Sequence, residues 1–311
     1  MSGGRSTTAG ADAAARAGEL LGDLAQRDVP IGPMTTYRVG GAADVFVDVA
    51  SEDDLLGVAR AVSSTGAPVL VVGRGSNLLV ADSGFHGVAV RLGDAFSSID
   101  IEGATVRAGG AVSLPVLARR TAAASLTGLE WAVGVPGSVG GAVRMNAGGH
   151  GAETRETLRR IRRVDLRTGA DDVVDAGALD LAYRHSNVTP AQVVVWAEYE
   201  LAPGDGAASE SQISEIVRWR RENQPGGQNC GSVFTNPDGD SAGRLVDAAG
   251  LKGHRRGTAF VSPKHANFIQ ADDGGLAADV RDLIADVQQA VEERFGIRLV
   301  PELRMVGFDE T

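Results

Sequence analysis

Ser232 is the first residue that could do chemistry, because a positioned hydroxyl can transfer a proton. It lies in the segment GSVFTNP, whose glycine, asparagine and proline would equally suit an ordinary turn. Further polar groups occur in TTYRVGG, AYRHS, SPKHANF and VPELR, which contain Arg38, Arg184, Lys264 and Glu302. A surface ion pair or a helix cap would explain each of these groups taken alone. The hypothesis of a functional site therefore depends on their occurring together in one chain.

Several other kinds of site are disfavoured. Cys230 is the only cysteine, which excludes an intrachain disulfide and a thiolate metal cluster. Beside a glycine it is more typical of a small buried hydrophobic residue than of a nucleophile. The 5 histidines show neither HxxxH nor HxH spacing, so no metal site is predicted. Ser232 lacks the flanking glycines of a G-x-S-x-G elbow, which argues against a serine hydrolase.

Two glycine-rich segments indicate that a ligand approaches the main chain closely. In VVGRGSNLLV an apolar strand ends at Gly73 and Gly75, and glycines permit the positive φ angles that turn successive amides towards one anion. A tight turn between two strands explains this segment equally well. The second segment, residues 128–151, is denser in glycine than a structural loop usually requires, which indicates a flat or phosphorylated ligand.

Neither segment carries a standard nucleotide-binding signature. Gly73 and Gly75 could begin GxGxxG, but Leu78 occupies the position of the third glycine, and no helix clearly follows. The chain also lacks the lysine of a phosphate-binding P-loop motif. Rossmann and P-loop folds are therefore disfavoured.

Size and charge restrict the classes of fold and partner. The 311 residues favour two domains, and 43% hydrophobic with 23% charged residues is typical of a folded globular protein. The net charge of -10 would repel a phosphate backbone, so nucleic acid is not an expected partner. Basic clusters at residues 155–167 and 218–221 could still bind a small anion.

The N-terminal region predicts no export or membrane insertion. It lacks the basic start and continuous apolar stretch of a signal peptide, and no segment has the roughly 18 apolar residues that span a bilayer. The lone cysteine fits a reducing compartment. We therefore predict a cytoplasmic protein without a membrane partner, with a loose start followed by a helix at residues 11–27.

The apolar pattern predicts an α+β fold. Ser51 and Asp54 form a capping box for a helix that Gly66 ends, and a strand follows at residues 68–72. The spacing of apolar residues predicts further short strands at residues 45–49, 88–92, 104–109, 158–166 and 193–201.

The C-terminal third is predicted to be more helical. Residues 202–211 are small and polar and predict a linker, and a helix follows at residues 212–223. A long amphipathic helix is predicted from Leu276 to Phe295, with Gly296 as its end. The segment IRLVPELRM predicts a last strand.

The chain resembles the UDP-N-acetylenolpyruvoylglucosamine reductases, the flavoenzymes that make UDP-N-acetylmuramate for peptidoglycan. The matching motifs, in order, are TTYRVGG, VGRGSNLLV, GLEWAVGVPGSVGGAVRMNAGG, YRHS, GSVFTNP, AGRLVDAAGLKGHRRGTAFVSPKHANF and FGIRLVPELRMVG. They extend over residues 33–307, nearly the whole chain. Such a series in the right order is far more specific than any single motif.

The resemblance implies a vanillyl-alcohol-oxidase-like α+β fold of the PCMH type, with non-covalent FAD between two subdomains. It divides the chain into an N-terminal extension (1–29), a FAD-binding domain (30–204) and a substrate-binding domain (205–311) whose last strand can return to the FAD domain. The implied FAD contacts are Arg38, Gly40, Gly41, Val72, Gly73, Arg74, Gly75, Ser76, Asn77, Leu78, Val135, Pro136, Gly137, Ser138, Gly140, Gly141, Asn146, Ala147 and Gly148.

The reaction implied by the resemblance has two halves. NADPH gives a hydride to flavin N5, and the reduced flavin gives it to the methylene carbon of UDP-N-acetylglucosamine enolpyruvate. The neighbouring carbon then receives a proton, which the resemblance assigns to Ser232. A hydroxyl is a weak acid, but its target is a strongly basic carbon at hydrogen-bond distance. Arg184 and Glu302 are implied to flank the substrate carboxylate and stabilise the enolic intermediate.

The implied contacts to the substrate are less specific. Thr235 stands where many members have lysine, and Gly149 and His150 replace a common Ala-Tyr pair. The short segment after Tyr183 is typical of the compact branch of the family, and a monomer is expected. The predicted substrate-binding residues are Tyr183, Asn236, Arg220, Arg221, Lys264 and His265.

Two alternatives remain open at this stage. Another FAD oxidoreductase of the same fold could act on an alcohol or lactone, and covalent attachment of flavin to His150 or Cys230 would favour it. A non-catalytic nucleotide-binding module could also retain the glycine-rich segments. In that protein the hydroxyl of Ser232 would have no measurable role.

Overall fold

The computed structural model describes residues 3–308, with side chains described from residue 9 onwards. These residues form two compact units, each built from separate stretches of the chain. The first unit comprises the described residues up to Val29, Asp44–Arg74 and His86–Arg220. The second comprises Pro30–Ala43, Gly75–Phe85 and the described residues from Arg221 onwards. The predicted domain boundaries at residues 30 and 205 stay predictions.

The first sheet of the first unit has four strands. Their order across the sheet is Gln26–Pro30, Ala42–Val49, Phe85–Leu92 and Val69–Val71, and the last two are parallel. The helices Gly3–Leu21 and Glu52–Thr65 bury their apolar faces in the same core as these strands.

The predicted capping box is confirmed. Ser51 Oγ accepts a hydrogen bond from the Asp54 nitrogen at 3.1 Å, and the Asp54 carboxylate accepts one from the Ser51 nitrogen at 2.9 Å. The helix ends at Gly66, whose φ angle of 69° lies in the left-handed region that glycine adopts without strain.

The predicted N-terminal helix at residues 11–27 is wrong at both ends, as is the predicted loose start. The helix runs over Gly3–Leu21 and is followed by a strand at Gln26–Pro30. Gly22, with a φ angle of 56°, ends it, and Ala14 and Ala17 are fully buried. Because these alanines pack in the core, the segment is part of the first unit rather than a free tail.

The second sheet of the first unit is antiparallel and has five strands. Their order is Asp171–Asp175, Leu158–Asp165, Gln192–Glu200, Thr105–Gly109 and Ile99–Glu102. The bounds agree with the predicted strands to within one residue for the three longest predictions. The helices Leu114–Ala123, Val139–Met145 and Gly206–Asn223 contribute buried residues to the same core.

The predicted linker at residues 202–211 is wrong. A short strand, Ala202–Pro203, pairs with Leu126–Thr127, and the next helix already begins at Gly206. The Asp205 carboxylate accepts a hydrogen bond from the Ala207 nitrogen at 2.9 Å, which satisfies an amide of the first turn. Ser209 of this helix is buried, so the segment packs against the rest of the unit.

The second unit combines short strands with two helices. Leu78–Val80 pairs in parallel with Arg304–Val306, and an antiparallel sheet contains Arg255–Arg256, Ala259–Val261 and Ile269–Ala271. The helices are Ala242–Ala248 and Ala277–Phe295. The last strand is shorter than predicted, and Pro301, which has no backbone donor, forms only an isolated bridge with Phe234.

The predicted long helix of the second unit is confirmed. Its buried stripe consists of Val280, Leu283, Ile284, Val287 and Val291. Leu276, predicted to belong to that stripe, is instead the residue before the helix and is 50% exposed. Within the described part of the chain, no helix is both long enough and apolar enough to cross a membrane.

Candidate functional site

Gly40 and Gly41 are required by close packing within the second unit. A Cβ atom at Gly40, whose φ angle is 105°, would lie 2.2 Å from the carbonyl oxygen of Val80. A Cβ atom at Gly41 would lie 2.6 Å from the carbonyl oxygen of Asp82. These glycines therefore have a structural role, whether or not they also border a ligand. The exposed Arg38 precedes them with a left-handed φ angle of 56°.

The glycine-rich turn at residues 73–78 crosses from the first unit into the second. Gly75 has a φ angle of 63°, and a Cβ atom there would lie 2.6 Å from the carbonyl oxygen of Met34. The Asn77 side-chain nitrogen donates to the Glu302 carbonyl oxygen at 3.1 Å. Ser76 and Leu78 flank Asn77, so this half of the turn belongs to the same unit as Ser232 and Glu302.

A cavity of about 270 Å³ in the first unit brings several predicted FAD contacts together. Val72, Gly73, Arg74, Ser138, Gly140 and Gly141 line it. The lining also includes residues that the sequence analysis did not assign to a site, namely Arg91, Asp94, Gly110 and Arg144. Of these, Arg144 lies inside the second glycine-rich segment, so its position in the sequence could have indicated that it contacts a ligand.

The walls of this cavity fit an anionic ligand. A Cβ atom at Gly73 would lie 2.7 Å from Ser138 Oγ, so a larger residue would require the Ser138 side chain to move. Ser138 caps the short helix Val139–Met145. Three arginines and one carboxylate line the cavity, although Arg91 also pairs with Asp48 at 2.5 Å. The excess positive charge and the bare main chain suit a pyrophosphate group.

Tyr183 and Arg184 lie against the predicted flavin segment 146–148. The fully buried Asn146 donates a hydrogen bond to the Ala182 carbonyl oxygen at 2.8 Å. The Arg184 guanidinium donates to the Gly148 carbonyl oxygen at 2.9 Å, and its Cζ lies 4.9 Å from the centre of the Tyr183 ring. Arg184 has a left-handed φ angle of 54°. The turn that carries both residues is therefore anchored to the segment through several contacts.

Arg220 lies beside the other end of the glycine-rich segment, within the first unit. It donates a hydrogen bond to the carbonyl oxygen of Gly134, and burial lowers its pKa. Val135, Pro136 and Gly137 follow Gly134 in the chain. The His150 ring packs edge-on against Trp219 with 5.2 Å between ring centres. Burial, and next the charge of Arg220, lower the pKa of His150.

Ser232 and Glu302 are on neighbouring segments of the second unit. The Glu302 nitrogen donates to the carbonyl oxygen of Val233, the residue after Ser232, at 2.7 Å. Ser232 itself is exposed, whereas Val233 is fully buried. The loop is thus held by its buried neighbour while the hydroxyl stays accessible.

Cys230 is buried beneath this loop. Its sulfur donates to the Tyr37 hydroxyl oxygen at 3.5 Å. Burial raises the pKa of the Cys230 thiol to about 12, and the negative charge of Glu302 acts in the same direction. Burial also raises the pKa of Tyr37. The prediction that Cys230 is a small buried hydrophobic residue is confirmed. A buried thiol with a raised pKa is not available as a nucleophile.

A pocket of about 480 Å³ in the second unit surrounds Ser232. The predicted substrate residues Asn236, Lys264 and His265 line it together with Ser232. Lys264 Nζ donates to the Arg221 carbonyl oxygen at 2.6 Å, which places Arg221 beside the pocket. The pocket lining also includes residues that the sequence analysis did not assign to the site, among them Arg244, Lys252 and Asn267.

The charges in this pocket are partly balanced. Lys252 pairs with Asp247 at 2.6 Å, and Arg244 donates to Asp240 at 2.6 Å through Nε. Burial, and next the charge of Lys252, lower the pKa of His265. Within residues 3–308, no three metal-binding side chains lie together in a group that could hold a metal ion.

The predicted catalytic residues are divided between the units. Ser232 and Glu302 belong to the second unit, with Asn236, Arg221, Lys264 and His265. Arg184 belongs to the first unit, with Tyr183 and Arg220. The structure therefore divides the predicted residues into two groups, of which Ser232, Asn236, Lys264 and His265 line one pocket of the second unit.

Two known domain families match this chain. Residues 43–176 match the FAD binding domain, and residues 223–306 match the UDP-N-acetylenolpyruvoylglucosamine reductase C-terminal domain. UDP-N-acetylenolpyruvoylglucosamine reductase of Anaeromyxobacter dehalogenans is 42% identical over 283 residues, which are 90% of this chain and 85% of the relative. The Rubrobacter xylanophilus enzyme of that name is 40% identical over 291 residues, or 93% and 97% of the two chains.

The chain belongs to the UDP-N-acetylenolpyruvoylglucosamine reductase family.

A solved member of this reductase family has the same fold. The crystal structure of UDP-N-acetylenolpyruvylglucosamine reductase from Thermus caldophilus superposes with a TM-score of 0.79 at 34% identity. The match covers 91% of this chain and 98% of that one. The predicted family, the α+β class and the FAD-binding domain are confirmed.

Proposed function

We propose that this chain is an FAD-dependent, NADPH-driven oxidoreductase that converts UDP-N-acetylglucosamine enolpyruvate into UDP-N-acetylmuramate for peptidoglycan synthesis. The observation that carries the proposal is the pairing of the Ser232 and Glu302 segments beside a cation-lined pocket. The same chain is similar over at least nine-tenths of its length to UDP-N-acetylenolpyruvoylglucosamine reductases. Bound FAD supplies the hydride chemistry, by accepting a hydride from NADPH and passing it to the alkene.

The first unit holds the nucleotide part of FAD. Gly73, Gly140 and Gly141 leave the main chain bare along the cavity, and Arg74 and Arg144 supply charge for the pyrophosphate. Residues 146–148, which are hydrogen-bonded to the turn that carries Arg184, bind the flavin together with residues 135–137. Fixed backbone groups suit a planar ligand, since they need no rearrangement on binding.

Ser232 donates the proton that completes the reduction. Its hydroxyl is exposed to the pocket while the loop behind it is buried. The carbon that it protonates is strongly basic, so a neutral hydroxyl suffices if the distance is that of a hydrogen bond. The proton leaves Ser232 Oγ, and solvent in the open pocket restores it.

Glu302 and Arg184 act on the acid end of the substrate. Hydride addition places negative charge on the carboxylate and the adjacent carbon, and a guanidinium such as Arg184 stabilises that charge. The Arg184 side chain is held through Gly148 and Tyr183, so it is oriented before the substrate arrives. Glu302, held through its backbone by Val233 and Asn77, contributes hydrogen bonding to the enolic intermediate.

The pocket around Ser232 holds the UDP-sugar. Lys264, whose Nζ donates to the Arg221 carbonyl oxygen, supplies an ammonium group for the diphosphate. Asn236 is less suited to the sugar than we expected from the sequence alone, because its Oδ1 already accepts from the Ala242 nitrogen at 3.0 Å. Its amide nitrogen is the group that can donate to a ligand. Tyr183, Arg220, Arg221 and His265 complete the proposed substrate set.

We also infer that the enzyme acts as a monomer in the cytoplasm. Cys230 is a buried free thiol, which is typical of proteins in a reducing compartment.

Anaerobic spectroscopy tests the proposed reaction. Purified protein should carry the absorbance of oxidised flavin, lose it on addition of NADPH and regain it on addition of UDP-N-acetylglucosamine enolpyruvate. Failure of the enolpyruvyl substrate to restore the colour would contradict the assignment. Flavin that stays with the heat-precipitated polypeptide would instead favour a covalent flavoprotein acting on another substrate.

A further inference from the structure

Asn267 makes an unusual set of contacts with the loop that carries Ser232. Its side chain pairs with the backbone of Phe234 in both directions: Oδ1 accepts from the Phe234 nitrogen at 2.9 Å, and Nδ2 donates to the Phe234 carbonyl oxygen at 2.8 Å. Its own carbonyl oxygen accepts from the Val233 nitrogen at 2.8 Å. Asn267 is 4% exposed, so water does not compete strongly for these bonds.

The opposite edge of the same loop is held by the segment that contains Glu302. The Glu302 nitrogen donates to the Val233 carbonyl oxygen at 2.7 Å, and the Thr235 nitrogen donates to the Val300 carbonyl oxygen at 3.0 Å. Every backbone donor and acceptor from Val233 to Phe234 is therefore engaged, with Asn267 on one side and residues 300–302 on the other.

This arrangement leaves Ser232 at the end of a fixed segment. Val233 and Phe234 are 0% and 2% exposed, so they cannot shift without opening the core. A displacement of about 1 Å at a reacting group can cost about 100-fold in rate. The position of the Ser232 hydroxyl thus depends on a side chain that itself also lines the pocket.

We propose that Asn267 is a positioning residue, which fixes the Ser232 hydroxyl relative to Glu302 for proton delivery. The inference rests on the proposed function. A primary amide can accept from the backbone N–H and donate to the backbone C=O of one residue at the same time, which an ionised carboxylate cannot do. A carboxylate would retain the acceptor for the Phe234 nitrogen but would meet the Phe234 carbonyl oxygen with a like partial charge.

The test measures the two half-reactions separately in Asn267→Asp, with flavin absorbance followed anaerobically. Reduction by NADPH should stay within about twofold of wild type, because the Asn267 side chain bonds the backbone of the Ser232 loop and none of the residues proposed to bind FAD. Reoxidation by UDP-N-acetylglucosamine enolpyruvate should slow by about 10-fold or more, with a larger solvent deuterium isotope effect. Gln270→Ala is the matched control, since Gln270 is an amide in the adjacent strand that bonds the Gly226 carbonyl oxygen.

A double-variant cycle distinguishes positioning from general damage. In a Ser232→Ala background, Asn267→Asp should slow reoxidation by less than about twofold further, because the group that it positions is already gone. The proposal would be overturned if the rate losses of Asn267→Asp and Ser232→Ala multiplied in the double variant. It would also be overturned if Asn267→Asp slowed both half-reactions equally. If Asn267→Asp does not fold, Asn267→Ser, which keeps one hydrogen-bonding group, carries the same comparison.

The outcome is separable from that of the proposed function. If wild-type protein is not reoxidised by the enolpyruvyl substrate, the proposed function fails. If wild type is reoxidised and Asn267→Asp and Asn267→Ser react at the wild-type rate, only the positioning role fails.

Discussion

The backbone nitrogen of Glu302 donates a 2.7 Å hydrogen bond to the carbonyl oxygen of Val233. The bond joins the residue after Ser232 to a segment near the end of the chain. The contact uses backbone atoms, so it does not depend on the chemistry of the Glu302 side chain. A substitution that changes only the Glu302 side chain keeps this bond. It therefore separates the catalytic contribution of the carboxyl group from the structural contribution of the backbone.

Glu302→Gln should therefore impair turnover without unfolding the protein. The backbone hydrogen bonds are retained, so the free energy of unfolding should change by less than about 1 kcal/mol. The rate of substrate-driven flavin reoxidation should fall about 100-fold or more, as for the loss of one preorganised group in a transition state. Glu293→Gln on the long helix is the control, and a wild-type rate for Glu302→Gln would contradict the assigned role.

Ser232→Ala should block proton delivery while leaving flavin reduction intact. Removal of a general acid typically costs about 100- to 10,000-fold, and the exposed hydroxyl contributes little to stability. Single-turnover absorbance measurements with NADPH and then with the enolpyruvyl substrate resolve the two steps. Ser83→Ala, a serine of the same unit, should behave as wild type. Normal turnover of Ser232→Ala would remove this residue from the mechanism.

Gly40→Ala should destabilise the protein by about 2 kcal/mol or more. The added Cβ atom would lie 2.2 Å from the Val80 carbonyl oxygen, and the φ angle of 105° is unfavourable for alanine. Gly250→Ala is a matched control, because Gly250 also has a positive φ angle, 79°, but nothing lies within 4 Å of a Cβ atom. Chemical denaturation compares them, and equal losses in both variants would show that backbone strain rather than crowding matters.

His265 should make stability depend on pH. Burial and the charge of Lys252 lower its pKa in the folded protein, so the unfolded chain binds the proton more readily. Its stabilising contribution is fully present above the unfolded pKa of about 6.5 and is lost as pH falls below that value. The neutral ring is also needed for Nδ1 to accept from the Asn267 nitrogen at 3.3 Å.

The measurement is the denaturation midpoint of wild type and His265→Gln between pH 7.5 and pH 5. Wild type should lose stability more steeply than the variant over this range. The other histidines and the carboxylates contribute equally to both proteins, so the difference between the curves reports His265. Parallel curves would show that its pKa is not lowered.

Cys230 should resist thiol reagents until the protein unfolds. Its pKa is raised to about 12 by burial, and its side chain is buried, so neither thiolate nor access is available near pH 8. Reaction with a chromogenic disulfide should be slow in buffer and complete within minutes in denaturant. Cys230→Ala should remove the signal, and fast reaction of the native protein would show that the loop around Ser232 opens.

Local sequence signals predicted several elements well. The capping box at Ser51 and Asp54, the glycine that ends the helix at Gly66 and the stripe of the helix Ala277–Phe295 were all correct. Each depends on residues within one or two turns of each other, so short-range chemistry is sufficient. Residues 206–211 were misassigned because their helix depends on packing, with the buried Ser209 donating to Glu130 at 2.6 Å.

The sequence by itself determined the family, the α+β class and the identity of the residues proposed for catalysis, because an ordered series of motifs is a property of the chain alone. Only the tertiary structure decided that Ser232 and Glu302 share a unit and that Arg184 belongs to the other. It also placed Asn267, Arg244 and Lys252 in the pocket. These groupings depend on hydrogen bonds between residues far apart in the chain, and no local pattern encodes such contacts.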